Sequence, residues 1–172
     1  DLVEELDIGT NRVAILEADL TKGGDAAELF EQAVTALGPI NLLVNNASIF
    51  NDDAPADTES HSWDQHFEIH LRAPSILTAK MAEQENLENG LAVNMIDQRV
   101  WNLTPRFYSY TLSKSALWTA TRTMAQHFAP NLRVNAIGPG PTLQNARQTS
   151  QDFQAQIDGL LLKRGPELED FG

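Results

Sequence analysis

Residues 91–114, LAVNMIDQRVWNLTPRFYSYTLSK, decide how the rest of the chain is read. The stretch opens as a short apolar run, Leu91 to Ile96, the pattern of a buried strand. It breaks at Asp97, crosses a loop and enters a helical pattern carrying Tyr110 and Lys114. Four residues apart on a helix, two side chains share a face, about 5–6 Å apart at Cβ. A phenol is a weak acid, with an ordinary pKa of about 10. An ammonium beside it favours phenolate, so the spacing predicts a tyrosine with a lowered pKa that trades protons near neutrality. Taken alone, such a pair better describes an amphipathic core tyrosine beside a solvated lysine. The context adds weight: a strand, an acid at its end, then the pair on the next helix.

The 172 residues are a one-domain length with room for a real core. A formal charge of −12 argues against nucleic acid and anionic membrane surfaces, both of which want basic patches. It leaves open an anionic cofactor, which backbone amides and a few side chains hold locally. With no Cys there is no disulfide framework, thiol nucleophile or Cys metal site. No apolar run approaches the ~20 residues of a membrane span and no signal-peptide pattern opens the chain. The expected compartment is the cytoplasm.

Outward from the central stretch, strand and helix alternate. Residues 1–10 read as a helix end and a turn at Gly9, and Arg12 to Leu20 as a strand delivering Asp19 to its C-terminal end. After Gly23-Gly24, Asp25 is placed to cap a helix through Ala26, Leu29, Phe30, Ala33, Val34 and Leu37, stopped by Gly38-Pro39. Ile40 to Val44 is an apolar run suited to burial in a parallel sheet, followed at once by Asn45-Asn46-Ala47-Ser48. Residues 51–60 read as a loop. A long helix then runs from 62 to about 85, with Pro74 expected to bend or break it. The Tyr110 helix continues to Pro130, Leu132 to Ile137 is another strand ended by Gly138-Pro139-Gly140-Pro141, and 151–162 form a short amphipathic helix. Such alternation implies a parallel sheet with helices on both faces, where ligands bind beyond the carboxyl ends of the strands. Asp19, Asn45 to Ser48, Asp97 and Gly138 to Gly140 all fall at those ends.

In their order and separations, Asp19-Leu20, Asn45-Asn46-Ala47-Ser48, Tyr110-x-x-x-Lys114 and Pro139-Gly140 resemble the short-chain dehydrogenase/reductases over nearly the whole chain. The resemblance implies an α/β fold with a doubly wound, Rossmann-like parallel sheet. It makes residues 1–172 a single, partial dinucleotide-binding and catalytic domain. By that likeness Tyr110 is the proton donor or acceptor, and Lys114 binds the nicotinamide ribose. Asp19 and Leu20 hold the adenine edge, Asn45, Ala47 and Ser48 line the adenosine side, and the Pro139-Gly140 backbone faces the nicotinamide. NADP(H) is expected in preference to NAD(H), with a small-molecule substrate. The helices at 62–85 and 107–128 are expected to build a homodimer or homotetramer.

Three departures sharpen the reading. Most of the family carries Ser thirteen residues before the Tyr, where this chain has Asp97. The usual Gly after Asn-Asn-Ala is Ser48, followed by Ile49 and Phe50. Together these resemble the pteridine reductases within the family, in which an acid and the Tyr supply protons and a Phe stacks on the pterin. The resemblance therefore assigns Asp97 to proton delivery and Phe50 to substrate stacking, with Trp101 able to wall the pocket. The alternative for Asp97 is a loop-capping carboxylate. The third departure is His70, where the family commonly has an Asn whose backbone helps hold a relay water. His66 and His70 have a metal-ligand spacing, but two helical His residues do not complete a site, so no metal is expected and both read as ordinary polar helix residues.

The family's first two strands with their Gly-rich turn, and its last strand, have no counterpart in the sequence. In the 3-2-1-4-5-6 order of doubly wound sheets, the strand at 12–20 then lacks its neighbour. The strand at 40–44 becomes an exposed apolar edge. The expectation is that these residues are a fragment of a longer reductase. Two readings from different classes follow: an NAD(P)H-dependent reductase of a pterin-like C=N, or of a carbonyl or alcohol in the same family, and a non-catalytic fragment that only oligomerises.

Overall fold

The computed structural model describes residues 13–22, 24–57, 61–143 and 149–167. Helix α1 (Asp25–Leu37) leads into strand β1 (Leu42–Asn45). A long helical segment follows, made of α2 (His61–Phe67), a widened π-helical turn (Glu68–Arg72) and α3 (Ala73–Ala82). Strand β2 (Gly90–Met95), a short 3-10 turn (Gln98–Val100), helix α4 (Tyr108–Phe128), strand β3 (Leu132–Ile137) and helix α5 (Ser150–Gly159) complete the order. The strands form one parallel sheet in the order β1-β2-β3, with Leu42 opposite Leu91 and Gly90 opposite Leu132. Parallel neighbours need crossovers, and the two long helical segments supply them.

Periodicity explains the core. Along β2, Gly90, Ala92 and Asn94 are buried while Leu91, Val93 and Met95 are half-buried; along β3, Leu132 and Val134 are buried and Arg133 and Asn135 exposed. Ala92, Leu132 and Val134 share one cluster with Ala26 and Phe30 of α1 and Ala73, Leu77 and Met81 of α3. One face of the sheet is thus closed by helices, and the other is half-open among the described residues. At the edge, Leu42 and Val44 are more than half exposed, the apolar border expected of β1.

Gly38 ends α1 as its sequence position implies: at φ +83° it turns the chain left-handed and returns its N–H to the Val34 carbonyl at 2.9 Å. Asp25 is the first helical residue rather than the cap, and its carboxylate accepts from the Asp19 N–H at 3.3 Å. Helical structure runs on through Pro74, so the helix is not broken there; Pro74 lies just past the π turn, at the start of α3. A proline has no N–H to give the carbonyl four residues back, so His70 loses its α-helical partner there.

Two expectations fail or fall outside. The strand expected over 12–20 does not form: residues 13–19 join no ladder, because no strand among the described residues lies beside them. Arg12, Gly23 and the helix end at 1–10 lie outside the described residues, as do residues 144–148.

Candidate active site

The carboxyl ends of β1, β2 and β3 open onto one side of the sheet, and most of the expected residues gather there. After β2 the chain turns at Asp97, whose Oδ1 accepts the Arg99 N–H at 2.8 Å and starts the short 3-10 turn. Its Oδ2 receives the Tyr110 hydroxyl at 3.0 Å. Asp97 therefore caps its own loop with one oxygen and accepts the phenol's hydrogen bond with the other. Ser48, at the exit of β1, also reaches the phenol.

Lys114, one turn beyond Tyr110, is buried and donates to the Met95 carbonyl at 2.7 Å. Burial lowers its pKa to about 8, opposed by the charge of Asp97. The expected acidification of Tyr110 is not seen. Its pKa is raised, first by burial and then by the Asp97 carboxylate, which penalises a second negative charge beside it. The Lys114 ammonium lies 5.8 Å from the Tyr110 ring centre and is turned to the Met95 carbonyl rather than to the phenol oxygen, so it does not offset these effects. Tyr110 is a held proton rather than a ready phenolate.

Phe50 stands edge-on to Tyr110, ring centres 4.7 Å apart, and stacks on Phe107 at 4.1 Å. Arg99 lies 5.1 Å from both of those stacked rings, so it borders the rim of the pair rather than capping either face. Its Nη1 is 3.5 Å from Asp97 Oδ2, and its Nε is buried without a hydrogen-bond partner among the described residues. Phe107 is held in the left-handed backbone region at φ +56°, uncommon for a bulky residue. It cannot cap α4 with its own side chain. Asp53, buried in the loop between β1 and α2, accepts the Ser109 N–H at 3.1 and 3.2 Å instead.

Other expected residues are placed differently. Trp101 is 59% exposed, packs on Trp118, and comes so close to Gly138 that a Cβ there would sit 2.9 Å from its ring. It seals the β2 loop to the β3 exit, and no described contact ties it to Phe50 or Tyr110. Asn45 turns its side chain into the sheet, donating to Asn94 at 2.8 Å, and Asn94 donates on to Thr121. Leu20, Asn45 and Ala47 border an apolar cavity of about 320 Å³ beside the open edge of β1. The Asp19 carboxylate is not part of that cavity. It closes its own turn on Thr21 and Lys22, and the Thr21 hydrogen bonds hold its pKa down at about 2. Pro139 and Gly140 stand half-buried past β3.

His66, His70, Ser109 and Ser113 were not expected in the site, yet all four are buried against it. Their sequence signal is a matched spacing: two His four apart on one helix, two Ser four apart on the next. Among the described residues no three potential ligands gather around a metal position.

The residues present suit the nicotinamide-ribose end of a dinucleotide. Lys114 keeps two ammonium protons beyond its bond to Met95, the donor set that ribose hydroxyls need. A pyrophosphate cradle is another matter. Helix α1 carries Asp25 and Glu28 in its first turn, which would repel phosphate.

Residues 1–165 match the family described as enoyl-(acyl carrier protein) reductase. With its parallel sheet and its Tyr110–Lys114 pair, the chain belongs to the short-chain dehydrogenase/reductase family. Within it the chain is similar to the solved structure of FolM alternative dihydrofolate reductase 1 from Brucella suis in complex with NADP: 52% identity, TM-score 0.86, covering 92% of this chain and 64% of that one. The Brucella canis protein of the same name, complexed with NADP, gives 52% identity and a TM-score of 0.85, over 92% and 63% of the two chains. A curated relative, the short-chain type dehydrogenase/reductase of Picea abies, is 29% identical over 92% of this chain and 61% of its own. The chain therefore spans about three fifths of the length of these relatives.

Proposed function

We propose that the protein is an NADPH-dependent oxidoreductase that reduces the C=N bond of a pterin-like ring. The observation that carries the reading is the Tyr110 hydroxyl on Asp97 at 3.0 Å, with Phe50 edge-on to the same phenol. Addition across a ring C=N needs a proton at nitrogen, and a flat heterocycle favours an aromatic platform. A reduced nicotinamide, whose ribose Lys114 would hold, would supply the hydride. The chain supplies the rest. Tyr110, kept protonated by burial and by Asp97, gives its hydroxyl proton to the ring nitrogen, and Asp97, whose Oδ2 accepts that hydroxyl's hydrogen bond while the Arg99 N–H fixes Oδ1, passes a solvent proton back to the phenolate. Arg99, with an unpartnered Nε–H at the rim of the Phe50–Phe107 stack, suits an acceptor on the edge of such a ring. Lys114 orients the ribose.

The NADP named with both FolM structures supports NADP(H) over NAD(H), and their name supports a reduced-folate or pterin substrate. No described helix is long and apolar enough to cross a membrane; the cytoplasm and a homo-oligomer built through α2–α3 and α4 complete the reading, the latter checked by light scattering. The test of substrate is NADPH oxidation by the intact protein with dihydrobiopterin, dihydrofolate and simple ketones. Turnover of the dihydropterins is expected. Ketones reduced and pterins ignored would move the assignment to a carbonyl reductase of the same family, and no turnover of any would favour a non-catalytic chain.

A further inference from the structure

The loop that carries Phe50 is held from behind by two histidines. His66 and His70 are 0% and 1% exposed, and their rings stack with centres 5.5 Å apart. Each ring has one nitrogen on α4: His66 Nδ1 is 2.6 Å from Ser109 Oγ, and His70 Nδ1 is 2.8 Å from Ser113 Oγ. Each has its other nitrogen on the loop. The Asn51 N–H donates to His66 Nε2 at 3.3 Å, and the Ile49 N–H donates to His70 Nε2 at 3.3 Å, with Ser48 Oγ at 2.9 Å from the same atom. A backbone N–H can only donate, so each Nε2 is the unprotonated nitrogen and each neutral ring carries its proton on Nδ1. Ser113 agrees: it gives its own proton to the Tyr110 carbonyl at 2.8 Å, leaving lone pairs for the His70 Nδ1–H. Burial holds His70 down at about 3 and lowers His66 as well, so both rings are neutral near pH 7.

The two amides so held belong to residues 49 and 51, one on each side of Phe50. We propose that His66 and His70 are positioning residues that fix the backbone on both sides of Phe50 and so set the height and tilt of its ring as a platform for a flat heterocyclic substrate. This rests on the reading that Phe50 stacks on substrate. The clamp uses both ring nitrogens of each histidine, which is why the metal-like spacing has a different use here. It also ties the platform to the proton pair, because the helix turn that anchors the histidines through Ser109 and Ser113 carries Tyr110 between them.

The two arms of the clamp can be cut separately. Asn reproduces the Nδ1 donor toward the serine but falls short of the loop. Gln reaches the loop with an acceptor where Nε2 stood but offers no donor at the Nδ1 position. In the intact protein, His66→Asn and His70→Asn are expected to speed amide hydrogen exchange at Asn51 and Ile49, while the amides of α4 keep their protection. Each should raise KM for a dihydropterin about five- to tenfold, the scale of one lost hydrogen bond, with kcat changed less. The Gln variants should keep both properties near wild type. In a Phe50→Ala background the Asn substitutions should leave KM where Phe50→Ala has put it. Unchanged exchange at Ile49 and Asn51 in the Asn variants would overturn the proposal, as would Gln variants as damaged as the Asn ones, since restoring the acceptor toward the loop would then restore nothing. If Phe50→Ala itself leaves KM for every pterin unchanged, the functional reading falls, and the exchange data still judge the clamp.

Discussion

Tyr110 and Lys114 lie one helical turn apart, yet the lysine does not make the tyrosine acidic. The fixed spacing guarantees neighbouring positions on the helix, but where each polar tip goes depends on what the sheet offers. The Met95 carbonyl captures the ammonium at 2.7 Å, and the Asp97 carboxylate captures the phenol at 3.0 Å. The pair was legible from sequence because i,i+4 geometry is local. The direction of the phenol's shift was not, because it depends on burial and on a carboxylate that arrives from another element. Lys114 carries its own consequence. With its pKa lowered to about 8, the ammonium is lost as pH rises through that value, and with it the charge facing an anionic cofactor. NADPH affinity of the intact protein is expected to weaken between pH 7 and 9.5, measured by titration of cofactor fluorescence. The same profile in a Lys114→Arg variant, which cannot lose its charge there, should be flat; a flat wild-type profile would contradict the role.

At the scale of elements, α4 begins on a residue that cannot cap it. Phe107 stands left-handed at φ +56°, and the first turn is satisfied instead by Asp53 from the preceding loop. Asp53→Ala should destabilise the fold by about 1–2 kcal/mol, the usual worth of a helix cap, seen as a lower urea midpoint with an unchanged slope. Because α4 carries Tyr110, the same variant tests how far the site depends on that cap. Local signals served best where an element is specified by its own residues. Helix α1 spans 25–37, as its apolar period and Gly38-Pro39 require, and β3 spans 132–137. They failed where a partner decides: residues 13–19 have a strand's composition but no neighbour, and a strand without a ladder is not one. Pro74 announced a disturbance, but that it takes the form of a widened turn over Glu68–Arg72 is a choice made by packing. The His–Ser ladder was written plainly as two matched four-residue spacings, but nothing local says that the two helices face each other in that register.

For the molecule as a whole, three parallel strand ends bring together residues separated by more than sixty positions, and the buried histidines tie that region's stability to pH. His70, at about 3 against an ordinary 6.5, is less protonated folded than unfolded between those values. A lowered folded pKa means the unfolded state takes up the proton first, so stability falls as pH drops from about 6.5 toward 3. One such group contributes at most about 1.4 kcal/mol per pH unit. Carboxylates add acid losses of their own, so the comparison is with His70→Gln, whose stability against pH by urea unfolding should be shallower than wild type over that window. Equal slopes would show that the histidine is not held neutral. The central claim, however, is that Asp97 and Tyr110 act as one proton-delivering unit, and a double-mutant cycle on kcat for dihydropterin reduction measures that most directly. Asp97→Asn and Tyr110→Phe should each lower kcat by about 10²–10⁴, the range of general acid–base catalysis, and the double variant should lose little more than either alone. Losses that multiply, or a single variant with wild-type kcat, would contradict it.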